Sequence, residues 1–158
     1  MIKEYLKAMI TGLDAKAECL KKLQQKTDAQ TELLREENMD WDAFDALVDE
    51  KDVLIDELDK LDDGFQTVFD RIKDDLLAHK DENKAAIAKL QEQIKAVTAQ
   101  STSLMATEQR NKALAESKFA SVKKNIRQSK ATSKVAANYY ANMNQINYID
   151  PQLMDKKK

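Results

Sequence analysis

A single proline and two glycines in 158 residues leave almost nothing in this chain that would break a helix. The proline is Pro151, so no helix before it is interrupted in that way. One cysteine, Cys19, excludes an intramolecular disulfide and a CxxC metal or redox pair. With one histidine, His79, and neither a glycine-rich phosphate loop nor a nucleophile motif, converging catalytic groups are missing. The chain therefore reads as a non-enzyme with no cofactor and no metal site. No apolar run approaches the roughly 18 residues of a membrane span. The N-terminus, Met1-Ile-Lys-Glu-Tyr-Leu-Lys7, is charged and amphipathic rather than signal-like, so a cytoplasmic protein is expected.

What is present is charge. Asp, Glu, Lys and Arg make up 34% of the chain, above the roughly 25% of an average globular domain, and hydrophobic residues 42%. That profile belongs to long helices. The net charge of -2 conceals a segregation: +2 over residues 1–35, -13 over 36–82 and +9 over 83–158. An acidic segment packed between two basic neighbours would favour one arrangement of the three, although solvated faces account for the pattern equally well.

Hydrophobic spacing divides the body into three helices, about 2–36, 40–79 and 82–130. In the first, Ile2, Leu6, Met9, Leu13, Leu20, Leu23 and Leu34 follow a three-four spacing, with Ala17, Thr27 and Gln30 at weaker positions of the same stripe. Such a helix extends roughly 50 Å, a length suited to an elongated bundle. Asp40 is a good N-cap for the second helix, and Met39 and Phe44 take the two positions of a hydrophobic staple. The second stripe runs through Leu47, Leu54, Leu58, Leu61, Phe65, Val68, Ile72 and Leu76. The next break is placed at Ala78–Asn83, with Asp81 as cap; its rival is the hydroxyl-rich stretch Thr98–Ser103.

The third stripe follows Ile87, Leu90, Ile94, Val97, Ser101, Leu104, Glu108, Ala115, Phe119, Val122 and Ile126. Polar residues at Ser101, Glu108 and nearby Asn111 weaken it. They read equally as register-fixing contacts, as part of a partner groove, or as the exposed end of the bundle. The expected fold is all-α: an elongated antiparallel three-helix bundle or coiled coil over residues 1–130, with a C-terminal tail, 131–158, that is short-helical or disordered.

The aspartates between Asp40 and Asp75 do not follow the twelve-residue EF-hand spacing and read as a solvated face. Lys118, Lys123, Lys124, Arg127, Lys130 and Lys134 form a basic run with no acid between residues 117 and 149. No nucleic-acid reading motif accompanies it, so pairing with the acidic second helix or with an acidic protein is preferred to nucleic acid. In the tail, Val135, Tyr139, Met143 and Ile146 recur at helical spacing, a stripe too short to be stable without docking on its own bundle or on a partner. Asp150-Pro151 would end that helix.

Three patterns carry a family resemblance: Glu50-Lys51-x-x-Leu54-Ile55-x-x-Leu58-x-x-Leu61, then Glu108-x-Arg110-Asn111-x-x-Leu114, then a tyrosine-bearing C-terminal segment closing on Asp150-Pro-Gln-Leu-Met-Asp-Lys-Lys. Together they resemble the flagellar export chaperones of the FlgN type. The resemblance implies a cytoplasmic protein that binds the C-terminal helical segments of hook-filament junction proteins, prevents their premature assembly and delivers them to the flagellar export gate. It also implies that the end of the third helix and the tail bind the partner: Phe119, Val122, Ile126, Val135, Tyr139, Tyr140, Met143, Ile146 and Tyr148, with any of the three tail tyrosines a candidate for gate docking. Two alternatives remain open at this point: a chaperone of the filament cap protein, and a structural coiled-coil oligomer, such as a homodimer, without a client.

Overall fold

A computed structural model describes residues 2–125 and, within them, side chains up to residue 121. Three helices account for most of that span: α1 (Ile2–Arg35), α2 (Trp41–Ala78) and α3 (Lys84–Asn125). No strand occurs among the described residues, and the fold is an all-α three-helix bundle.

The turn between α1 and α2 is built as its residues dictate. The Asp40 carboxylate accepts a hydrogen bond from the Ala43 amide at 3.1 Å, and the Asp40 carbonyl takes the Phe44 amide at 3.1 Å. This satisfies donors that a helix start otherwise leaves without an intrahelical partner. Met39 and Phe44, on either side of the cap, are both buried in one apolar cluster, as a staple requires.

The second break falls at residues 79–83, so Thr98–Ser103 lies inside α3. Its cap differs from the expected one. Asn83 rather than Asp81 directly precedes α3, and its carbonyl accepts the Ile87 amide at 3.0 Å. The buried Asn83 amide turns backwards and donates to the His79 carbonyl at 3.0 Å, satisfying an acceptor left over at the end of α2. Asp81 and His79 are exposed.

The helices contribute to two compact units, residues 2–21 with 56–101 and residues 22–55 with 102–125. In the first, Leu6, Met9, Leu13, Leu58, Phe65, Phe69, Ile72, Leu76, Leu90, Ile94 and Val97 are buried. The Gln93 amide donates to the Ile10 carbonyl at 3.1 Å, and that of Gln100 to the Ala17 carbonyl at 3.1 Å, so α1 and α3 run parallel there. Lys16, on the buried stripe of α1, pairs with Asp62 of α2 at 2.7 Å. In the second unit the core comprises Leu34, Met39, Phe44, Val48 and Ala115, with Leu33, Trp41, Ile55 and Phe119 packed against it half-buried. Lys26 reaches Glu50 across the α1–α2 pair at 2.9 Å. The acidic second helix thus finds cationic partners on its neighbour within each unit, in line with the charge segregation.

One stripe shifts. Leu47, Leu54, Leu61 and Val68 are only half-buried, while Val48, Lys51 and Phe69 are fully buried. Because α2 packs against two helices, its buried arc is wide. Its centre follows Phe44, Val48, Lys51, Ile55 and Leu58, a line that a purely apolar reading rejects at Lys51.

Candidate functional site

The second unit holds a buried polar layer and an aromatic pair. The layer begins with Lys51, whose ammonium is fully buried and donates to Gln30 Oε1 at 2.8 Å and to a Glu108 carboxylate oxygen. The Thr27 hydroxyl, which has the Leu23 carbonyl at 2.7 Å in its own helix, lies 2.9 Å from the same Glu108 oxygen. Three residues further along α3, Asn111 is fully buried and uses both ends of its amide on α1: Nδ2 donates to the Thr27 carbonyl at 3.0 Å, and Oδ1 accepts from the Thr31 hydroxyl at 2.7 Å. Gln24 donates to the Thr107 hydroxyl at 3.2 Å.

Burial pushes the Lys51 ammonium down from its ordinary value of 10.5 to about 8, with the charge and hydrogen bond of Glu108 opposing the change. A buried ion pair of this kind adds little net stability, because desolvating both charges offsets their attraction. It does make misalignment expensive. A slip of α3 along α1 and α2 would leave a buried lysine, a buried glutamate and a buried asparagine facing leucines. At Glu108 and Asn111 the weak seam of α3 is made of buried polar contacts across helices, which fits the register-fixing reading.

The two internal patterns that carried the resemblance meet in this layer. Lys51 comes from the first, and Glu108 and Asn111 from the second. Lys51 as a seam residue was missed by the sequence reading. A signal was available: it stands on a three-four spacing with Phe44, Val48, Ile55 and Leu58, and the opposite seam carries a glutamate of complementary charge.

The aromatic pair lies at the α1–α2 corner. Trp41, the first residue of α2, stacks on Phe119 of α3 with ring centroids 5.1 Å apart and planes inclined by 22°. It also meets Phe44 edge-on at 6.1 Å and 68°. Phe44 is buried, whereas Trp41 and Phe119 remain half-exposed. Beside them the Lys118 ammonium donates to the Glu36 carbonyl and lies 3.5 Å from that of Glu37, placing positive charge at the negative end of α1.

Of the candidate partner-binding residues, Phe119 is thus placed on a half-exposed aromatic surface, next to a tryptophan that the sequence reading did not single out. The backbone of α3 includes position 122. Ile126, Val135, Tyr139, Tyr140, Met143, Ile146 and Tyr148 lie outside the described residues, as does the whole of the tail. Among the described residues no group of three or more His, Cys, Asp or Glu side chains is placed to hold a metal ion. No described helix is long and apolar enough to cross a membrane.

An all-α bundle with a buried polar layer and a partly exposed aromatic pair is a helical scaffold. The chain belongs to the FlgN protein family, which it matches over residues 1–145. That family consists of chaperones that act in flagellar export, so this chain is a flagellar export chaperone of the FlgN type. No curated protein and no solved structure matches the chain.

Proposed function

We propose that this chain is a cytoplasmic chaperone that captures the C-terminal helical segments of hook-filament junction proteins, keeps them from assembling early and hands them to the flagellar export gate. The observation that carries the reading is the stack of Trp41 on Phe119, an aromatic surface half-open to solvent at the end of α3. Membership of the FlgN family supports the reading as a flagellar export chaperone, and the client class is our proposal.

In this reading residues 1–130 are the scaffold and residues 131–158 the binding tail. Phe119, Val122 and Ile126 continue into Val135, Tyr139, Met143 and Ile146, an intermittent apolar stripe against which a client helix lays its own apolar face. Tyr139, Tyr140 and Tyr148 contact the client or the gate. Ordering the tail on the client costs part of the interaction energy, which keeps the complex dissociable at the point of delivery.

Titration calorimetry of the purified full chain against the C-terminal segments of junction proteins, with filament cap protein as the competing client, tests this. Saturable 1:1 binding of a junction-protein segment is expected. Preference for the cap protein would reassign the client, and a stable self-oligomer that ignores both would remove the chaperone reading.

A further inference from the structure

The first turns of α1 and of α3, both in the first unit, border a groove of about 270 Å³. α1 lines it with the buried Leu6 and the half-buried Ile10, and α3 with Ala85 and Ala86. The alanine side chains are too short to fill the space beside Leu6 and Ile10, which leaves a mostly apolar trough. Just beyond it Gln93 ties α3 to α1, donating to the Ile10 carbonyl at 3.1 Å and to an Asp14 carboxylate oxygen at 2.7 Å. On the α3 side the buried Asn83 holds the start of the helix through the His79 carbonyl. These contacts are made without any occupant, so the groove is preformed, which lowers the cost of binding.

Charge on the rim is uneven. Lys3 and Lys7, one helical turn apart on α1, line the groove exposed, and neither has an ion-pair partner among the described residues. Among the described residues Glu82 is the one carboxylate lining it, and His79 Nδ1 lies 3.6 Å from that group. The α1 wall therefore attracts anions and disfavours cations. Pockets that enclose small molecules run from roughly 300 to 1,000 Å³, and this trough is smaller and open. From residue 3 to residue 10 it extends along α1 for roughly 10 Å, about two helical turns. An open trough of that length between parallel helices suits side chains from the ridge of a third helix.

We infer that this groove is a docking site for a helix of a partner protein that inserts a large apolar side chain between α1 and α3 and sets carboxylates against Lys3 and Lys7. The site shares no residue with the proposed client surface and stands or falls apart from it.

Three helical peptides of one framework test this by NMR titration of the full chain, read at the backbone amides of residues 3–10 and 82–86. The first carries a leucine flanked by glutamates one turn away on either side. The second has lysines in place of the glutamates, and the third has alanine in place of the leucine. The first is expected to shift these amides saturably and the other two to bind at least about tenfold more weakly, for loss of charge pairing and of apolar burial respectively. Lys3→Glu with Lys7→Glu changes two exposed side chains, which the fold tolerates, and should reverse the preference between the first two peptides. Should that chain fail to fold, Ala85→Leu narrows the groove, keeps both lysines and is expected to weaken the first peptide about tenfold. No binding of the first peptide, equal affinity for the first two, or shifts confined to other amides overturns the proposal. Decanoate moving these amides when the first peptide does not would assign the groove to a small amphiphile and overturn it as well. Movement of the same amides on raising the protein concentration alone would give the groove to a second copy of the chain, with the same consequence.

Discussion

Lys51 of α2 and Glu108 of α3 form an ion pair inside the bundle, with side chains 0% and 5% exposed. Replacing Lys51 alone by methionine leaves a buried carboxylate with its cation gone and should cost about 3–5 kcal/mol. Replacing both residues by methionine removes the two desolvation penalties and should recover most of that loss, or exceed wild type. The Thr27 hydroxyl keeps the Leu23 carbonyl as acceptor, while Gln30 Oε1 loses the Lys51 donor. Urea unfolding of the three chains checks this. A double variant as unstable as the single one would contradict the assignment of a costly, register-fixing pair.

The same lysine gives a pH signature of known sign. Its ammonium titrates near 8 in the folded chain and at 10.5 when unfolded, so between those values the unfolded chain holds one more proton. Stability contributed by this group is therefore constant below about 8 and rises with pH up to about 10.5. The stability difference between wild type and Lys51→Met, measured by denaturant unfolding from pH 7 to 10.5, should move in favour of wild type. A flat or falling difference would contradict it.

Asp40 closes the start of α2 through the Ala43 amide. Asp40→Ala should cost about 1 kcal/mol and Asp40→Asn much less, because the amide oxygen of asparagine still accepts that bond. Thermal unfolding followed by circular dichroism reads the difference. Equal losses in the two variants would mean that charge near the helix dipole, rather than the cap, is the cause.

Phe119→Ala should red-shift Trp41 emission and destabilise the chain by about 1–2 kcal/mol, as fits a ring only half-buried. Leu114, 37% exposed, is the control, and its change to alanine should fall within about 0.5 kcal/mol. Unchanged emission in Phe119→Ala would contradict the stack.

Helix number, the α1–α2 turn and most of the first and third stripes were legible because apolar spacing and an aspartate cap are local signals. Asp40, Met39 and Phe44 lie within five positions of each other and need no tertiary information. What was missed is tertiary. Lys51 is buried because Glu108, 57 residues away, receives its charge, and no window along α2 contains that fact. Asn83 displaced Asp81 as the residue before α3 because its amide is needed by the end of the preceding helix. At the candidate site Phe119 was visible from its place on the stripe. Trp41 was not, since its role comes from a ring on another helix.

The central claim, that this scaffold holds a client through the segment that follows α3, is tested most directly by comparing the full chain with a chain ending at residue 130. Both are titrated calorimetrically with the C-terminal helical segment of a hook-filament junction protein. Both chains are expected to unfold cooperatively, and the shortened one to bind at least about tenfold more weakly. Equal affinity of the two chains would contradict the claim.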